Sequence, residues 1–184
     1  MLRKVVVGAA ASLAITLLPS LGNPSALLAP QLWLLLAAGL LANVFQPPYN
    51  PFDQSAPAAD RGTASQIVWS VYLTQALAVV EAVYVRYPQS LQWDLVASMG
   101  FLGVLAGLAL RTWAVLTLGR HFTWHLETQP GQRVIRRGPY RYARHPSYVG
   151  AFCSYVCCPV FLHAWCAAVV ASAASTAAFA RRIR

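Results

Sequence analysis

The sequence predicts an all-α integral membrane protein, with about four transmembrane helices followed by a C-terminal helical hairpin. Three observations carry this. Hydrophobic residues make up 58% of the chain and charged residues only 10%. Soluble globular domains average near half apolar and about a quarter charged, so too little charge remains here to solvate a surface. Apolar stretches recur near the ~20 residues that cross a ~30 Å hydrocarbon core. The arginine clusters between them fall on one side of a membrane in a single orientation.

The elements follow in order. Residues 5–22 are apolar, are preceded by Arg3 and Lys4, and read as a signal-anchor helix. Residues 26–45 make a second span. Residues 46–66, "QPPYNPFDQSAPAADRGTASQ", are a polar, proline-rich loop. Residues 67–85 form a third span holding Glu81, and 95–118 a fourth holding Arg111. Residues 119–146 carry six arginines: Arg120, Arg133, Arg136, Arg137, Arg141 and Arg144. The last apolar stretch, 149–180, would run about 48 Å as one helix, too long for one upright crossing. Pro159 sits near its middle and disrupts helical bonding. A tight helical hairpin resolves the length and returns Arg181, Arg182 and Arg184 to the side of the 119–146 loop. With the N-terminus cytoplasmic, every dense arginine cluster lies inside. The length suits one domain, with N-terminal helices over 1–118 and a loop-plus-hairpin region over 119–184.

The net charge is +9, from 14 Lys+Arg against 5 Asp+Glu. The cytoplasmic loops account for it, and the chain holds no basic soluble domain of the kind that binds nucleic acid. Cys153, Cys157, Cys158 and Cys166 share one apolar stretch without a paired CxxC spacing. Metal ligation needs thiolates in a polar site. They read instead as small buried residues, and no metal is expected.

Glu81 and Arg111 lie inside expected spans, where an ionisable residue costs about 2.5–3.5 kcal/mol and must face protein or water. Glu81 reads as a structural partner of a cation. Arg111 either snorkels to the loop two turns away or lines a polar pocket. Phe122 and Trp124, in "TLGRHFTWHLE", suit either the membrane interface or the wall of an apolar groove. The stretch "GPYRYARHPSYVG", residues 138–150, is the least ordinary. Gly138 and Pro139 mark a turn, and Pro146 fits the first turn of the next helix. The backbone is held stiff just before a helix N-terminus, whose free N–H groups attract anionic or polar ligands. His145, Ser147 and Tyr148 surround that terminus. A ligand site at the membrane surface is the functional reading, an ordinary juxtamembrane loop the other.

"GRHFTW", then "GPYRYARHPSYVG", then an apolar hairpin and "FARRIR", over residues 111–184, resembles the isoprenylcysteine carboxyl methyltransferase family. That family's pattern is G-R-x-F-T-W, then G-x-Y-x-x-x-R-H-P-S-Y-x-G, then F-x-x-R-I before a run of glutamates. The resemblance implies a protein-S-isoprenylcysteine O-methyltransferase of the endoplasmic reticulum membrane. It would transfer a methyl group from S-adenosyl-L-methionine to the C-terminal S-prenylcysteine carboxylate of prenylated, CaaX-processed proteins. It implies a cytoplasmic cofactor-binding loop, with cofactor contacts at Tyr140, His145, Pro146, Ser147 and Tyr148. The strand pattern H-x-L-V of the family maps to Gln132, Arg133, Val134 and Ile135, with the histidine replaced by Gln132. A further contact maps to His125, where identity is also not kept. The arginine of F-x-x-R-I maps to Arg182 and implies engagement of the substrate carboxylate. The chain ends at Arg184, so the family's glutamate four residues beyond that arginine is missing, and the region reads as a C-terminal truncation.

The chemistry is compatible with these residues. A carboxylate is already anionic at neutral pH, so in-line methyl transfer requires alignment and removal of water rather than a general base. The alternatives are a phospholipid N-methyltransferase-like enzyme, which shares the cofactor; a membrane sterol reductase, which shares a shorter R-H-P-x-Y and uses a nicotinamide; and a catalytically weak or non-catalytic membrane fragment lacking the glutamate.

Overall fold

The computed structural model describes residues 2–46, 49, 60–124 and 135–183. Six α-helices run through it: α1 (Leu2–Leu17), α2 (Pro30–Phe45), α3 (Thr63–Val80), α4 (Leu95–Leu118), α5 (Pro146–Phe161) and α6 (Trp165–Ile183). The described residues hold no strand. Short 3-10 turns lie between α1 and α2, between α3 and α4 and between α4 and α5, and α3 runs on through a π-turn over Glu81–Val85.

Two of the helices are long and apolar enough to cross a membrane, Thr63–Val85 with 23 residues and Leu95–His121 with 27. At 1.5 Å per residue these reach about 35 and 40 Å. The helices α1 and α2, expected as full spans, have 16 residues each, about 24 Å. Prolines set the difference: Pro19 and Pro24 open 3-10 turns after α1, and Pro30 restarts the chain as the first residue of α2. The outer face of α4 exposes Met99, Leu102, Leu105 and Leu116, a surface that lipid accommodates and water does not.

The hairpin is formed by α5 and α6. Its turn falls at residues 162–164, a few residues beyond Pro159, which lies in the last turn of α5. A proline there lacks an N–H, and the chain tightens beyond it: Ala164 N donates to Pro159 O at 2.9 Å and His163 N to Val160 O at 3.0 Å.

The α4–α5 pair is the tightest crossing, and small residues explain it. A Cβ placed on Gly107 would stand 2.6 Å from Gly150 O, and one on Gly150 would stand 2.6 Å from Arg111 N. In lipid there is no hydrophobic drive between helices, so close backbone approach of this kind holds the pair together. Arg111 lies one turn after Gly107 and Ser147 one turn before Gly150, so the crossing brings these two side chains together.

At the hairpin-turn end of the bundle, polar residues serve the framework. Glu81 is buried and accepts from Ala167 N at 2.8 Å, Cys166 N at 3.2 Å and Arg86 Nε at 2.9 Å. It thus caps the start of α6 from another helix while paired to a cation. His163 in the turn reaches Ser90 O at 3.2 Å through Nδ1 and the Asp94 carboxylate at 3.1 Å through Nε2. All four cysteines are free, and no group of metal-ligating residues occurs among the described residues. Cys158 is buried and donates to Gln75 Oε1, whereas Cys166 is exposed.

Candidate active site

At the opposite end, the segment between α4 and α5 folds over the bundle. Gly138 has φ +57°, a conformation that L side chains rarely adopt. It opens a 3-10 turn over Gly138–Arg141, which seats Tyr140 beneath the start of α5. Pro146 is the first residue of α5 and is buried. His145 occupies the N-cap position without a side-chain cap bond. Its ring stacks instead on Tyr148, with centroids 5.4 Å apart and planes 5° apart. Tyr148 stacks in turn on Phe179 of α6 at 5.2 Å.

These rings form one wall of a cavity of about 250 Å³. Tyr140, His145, Ser147, Tyr148 and Arg182 all line it, joined by Phe122, Trp124 and His121. Burial, and next the neighbouring Tyr148, push the Tyr140 phenol above its ordinary value against the opposing pull of Arg111. At neutral pH Tyr140 is therefore a neutral O–H donor. The Nδ1 atom of His121 is buried and has no hydrogen-bond partner among the described residues. An orphaned polar atom at a cavity wall is a place where a polar ligand atom belongs.

Arg182 is 8% exposed and spends its whole fork on the protein. Nε donates to Tyr148 Oη at 2.8 Å. Nη1 donates to Asp60 Oδ1 at 3.0 Å and to Thr63 Oγ1 at 2.8 Å. Nη2 donates to the carbonyl oxygen of Trp124. Asp60 is fully buried and also accepts from Ala64 N at 3.1 Å, so it caps α3 while neutralising Arg182. Four segments of chain meet at this one guanidinium.

A second cavity, of about 230 Å³, lies alongside. It is mostly apolar, running between α2, α3, α4 and α5 past Ala42, Val79, Val104 and Leu108. Arg111 and Trp124 border both cavities. The Arg111 guanidinium stands over the Trp124 ring, 5.1 Å from its centroid. Its Nε donates to Gln46 Oε1 at 2.7 Å, and Nη1 reaches Ser147 Oγ at 3.2 Å and Ser147 O at 3.4 Å. Of the two sequence readings for Arg111, the pocket is the one observed.

The expected contacts at His125, Gln132, Arg133 and Val134 lie outside the described residues. Ile135 is half-buried and lines a neighbouring cleft with Thr117 and Arg136. Sequence reasoning did not single out His121, Asp60 or Gln46. His121 stands inside the quoted "GRHFTW", the one signal that pointed to it. Gln46 opens the proline-rich loop and Asp60 is its last acid, with nothing local to mark them.

Comparison with known proteins covers the same region. Residues 98–184 match the model of the "Isoprenylcysteine carboxyl methyltransferase (ICMT) family". The "Uncharacterized protein YpbQ" of Bacillus subtilis (strain 168) is 26% identical over 62 residues, covering 34% of this chain and 37% of that relative. The match thus spans little more than a third of the relative's own length. No solved structure matches. Residues 98–184, which hold the close α4–α5 crossing, the ring-lined cavity wall and Arg182, are thus similar to the isoprenylcysteine carboxyl methyltransferase family over a little under half of the chain.

Proposed function

We propose that the chain transfers a methyl group from S-adenosyl-L-methionine to the C-terminal S-prenylcysteine carboxylate of prenylated proteins, giving a methyl ester. The observation that carries this is the pairing of cavities. A polar, ring-lined cavity and an apolar one between membrane helices share the wall made by Arg111 and Trp124. A lipidated carboxylate needs both environments at once.

The first cavity has the right chemistry for the cofactor. The rings of Phe122, Trp124, Tyr140 and Tyr148 offer faces for a purine and for a sulfonium cation. His121 Nδ1 offers an unmet polar atom. When bound there, S-adenosylmethionine supplies an electrophilic methyl group on a positively charged sulfur. Tyr140, His145, Ser147 and Tyr148 would hold it, with Pro146 fixing the helix start that presents them. The apolar cavity would take the prenyl chain, which keeps that chain out of water. The carboxylate oxygen attacks the methyl carbon. A C–O bond would form as the S–CH3 bond breaks, and the electron pair would stay on sulfur, leaving a neutral thioether. No proton moves, so the protein's work is alignment to about 3–3.5 Å and exclusion of water. The reading places the enzyme in the endoplasmic reticulum membrane, with the motif loop and its arginines on the cytoplasmic side.

The test uses purified, detergent-solubilised protein with radiolabelled S-adenosylmethionine and N-acetyl-S-farnesylcysteine. Base-labile methyl ester is the expected product. Label in a base-stable amine of added phospholipid, with no ester, would overturn the assignment in favour of N-methyl transfer.

A further inference from the structure

We propose that the cleft between the last turn of α4 and residues 135–137 holds the headgroup of an anionic phospholipid. The cleft has a volume of about 540 Å³, within the roughly 300–1,000 Å³ of small-ligand sites. Arg120, Arg136 and Arg137 all line it, with Thr117, Leu116 and Ile135. The three arginines are exposed, and none makes a hydrogen bond or ion pair among the described residues. The described acids are committed elsewhere: Asp60 to Arg182, Glu81 to Arg86, Asp94 to His163. The C-terminus of α4 adds about half a negative charge, against three whole positive ones.

The two walls are pinned to each other. Gly138 follows Arg137 directly, and a Cβ placed on it would stand 2.8 Å from Thr117 Oγ1. The backbone after Arg137 therefore lies against the last turn of α4, and only glycine combines that approach with φ +57°. On the other wall, Gly119 has φ +53° and turns the chain out of α4 just before Arg120. Charges on separate segments are thus held around one space. A guanidinium fork matches the oxygens of a phosphate.

Position decides for a lipid over a dissolved anion. Leu116 lines the cleft and is also 66% exposed on the outer face of α4. Trp113 stands one turn further along that face and is 51% exposed. The cleft thus opens onto an apolar surface with an aromatic residue near its end, as at a membrane interface. Acyl chains would lie along Trp113 and Leu116 while the phosphate sits among the arginines. Basic pockets beside membrane helices hold anionic headgroups in this way.

The experiment measures lipid binding and needs no turnover. Phosphatidylglycerol and phosphatidylcholine carrying the same fluorescent acyl chain are titrated with the detergent-solubilised full chain, and anisotropy is read. Wild type is expected to prefer phosphatidylglycerol by at least about tenfold at low salt, since each arginine near a headgroup is worth about fivefold. The preference should shrink as salt is raised. Arg136→Gln should lower it severalfold. The triple variant Arg120→Gln, Arg136→Gln, Arg137→Gln should abolish it and keep phosphatidylcholine binding, which separates lost charge from misfolding. Arg141 is exposed in the following turn and lines none of the three cavities, so Arg141→Gln should leave the preference whole. Equal binding of the two lipids by wild type, or a preference that survives the triple variant, would overturn the proposal. So would an equal loss in Arg141→Gln, which would mean diffuse charge without a site. Displacement of the lipid by an equal concentration of inorganic phosphate would mean a site for a free anion instead.

Discussion

One arginine at the motif end of the bundle shows how a single side chain can fasten several segments of chain. Arg182 ties α6 to the first turn of α3, to Tyr148 of α5 and to the carbonyl of Trp124. Its energetic weight lies in Asp60. With no exposed surface, Asp60 holds its charge against the Arg182 guanidinium, with Ala64 N also donating to it. Removing one partner of a buried pair costs about 3–5 kcal/mol, because it strands the other. Asp60→Asn and Arg182→Ala should therefore each lower the melting temperature in detergent strongly. Asp60→Asn with Arg182→Gln should recover part of the loss, since both charges are gone. Losses that simply add, measured for Asp60→Asn and Arg182→Gln alone and together, would show that the pair is not coupled. Sequence reasoning found Arg182 through its motif. It did not find Asp60, because the contact joins residues on opposite sides of the chain, and a proline-rich loop carries no periodicity to reveal what its last acid touches.

Helices were more legible than contacts. The positions of α3 and α4 follow from apolar length alone, and the C-terminal hairpin follows from a stretch too long to cross once. The turn itself lies beyond Pro159, because a proline in the last turn costs a helix little and the chain continues to Phe161. The shortness of α1 and α2 was harder to see, since Pro19, Pro24 and Pro30 punctuate a stretch that is apolar by composition. The acid at the head of α4 carries a prediction. Asp94 accepts from Ala97 N at 2.8 Å as N-cap and lies against His163 of the hairpin turn. The Ala97 N–H first, and His163 next, hold its carboxyl below the ordinary value. As pH falls, the unfolded chain takes up this proton first, near its unperturbed value of about 3.9. The stabilisation is whole above that value and is lost as pH drops through the lower folded one. Asn keeps the cap but not the carboxylate, so Asp94→Asn should lower melting at neutral pH modestly and flatten its decline on the acid side. Parallel declines in the two proteins would show that Asp94 does not carry this step.

On the scale of the whole molecule, the bundle separates its polar ends by task. Glu81, Arg86, Asp94 and His163 fasten the hairpin-turn end. The other end keeps its polar groups around two adjoining cavities. The apolar one has a direction: Arg111 and Trp124 stand at the shared wall, while Ala42 of α2 and Val79 of α3 line it among helices that the family match does not cover. If the prenyl chain lies there, its length is measured by α2 and α3 and its chemistry by α4 and α5. Ala42→Phe adds a ring to a half-buried lining position without touching the Arg182 network. It should raise KM for a geranylgeranyl cysteine more than for a farnesyl one, and leave S-adenosylmethionine binding unaltered. The magnitude follows from excluded length. Each methylene refused burial forfeits about 0.8 kcal/mol, so exclusion of two or three carbons amounts to roughly tenfold or more in the ratio of the two KM values. An unchanged ratio would mean that the prenyl chain lies elsewhere, against the outer helix faces rather than between α2 and α3. A fall in cofactor affinity would mean that the two cavities are one site and that Trp124 does not divide them.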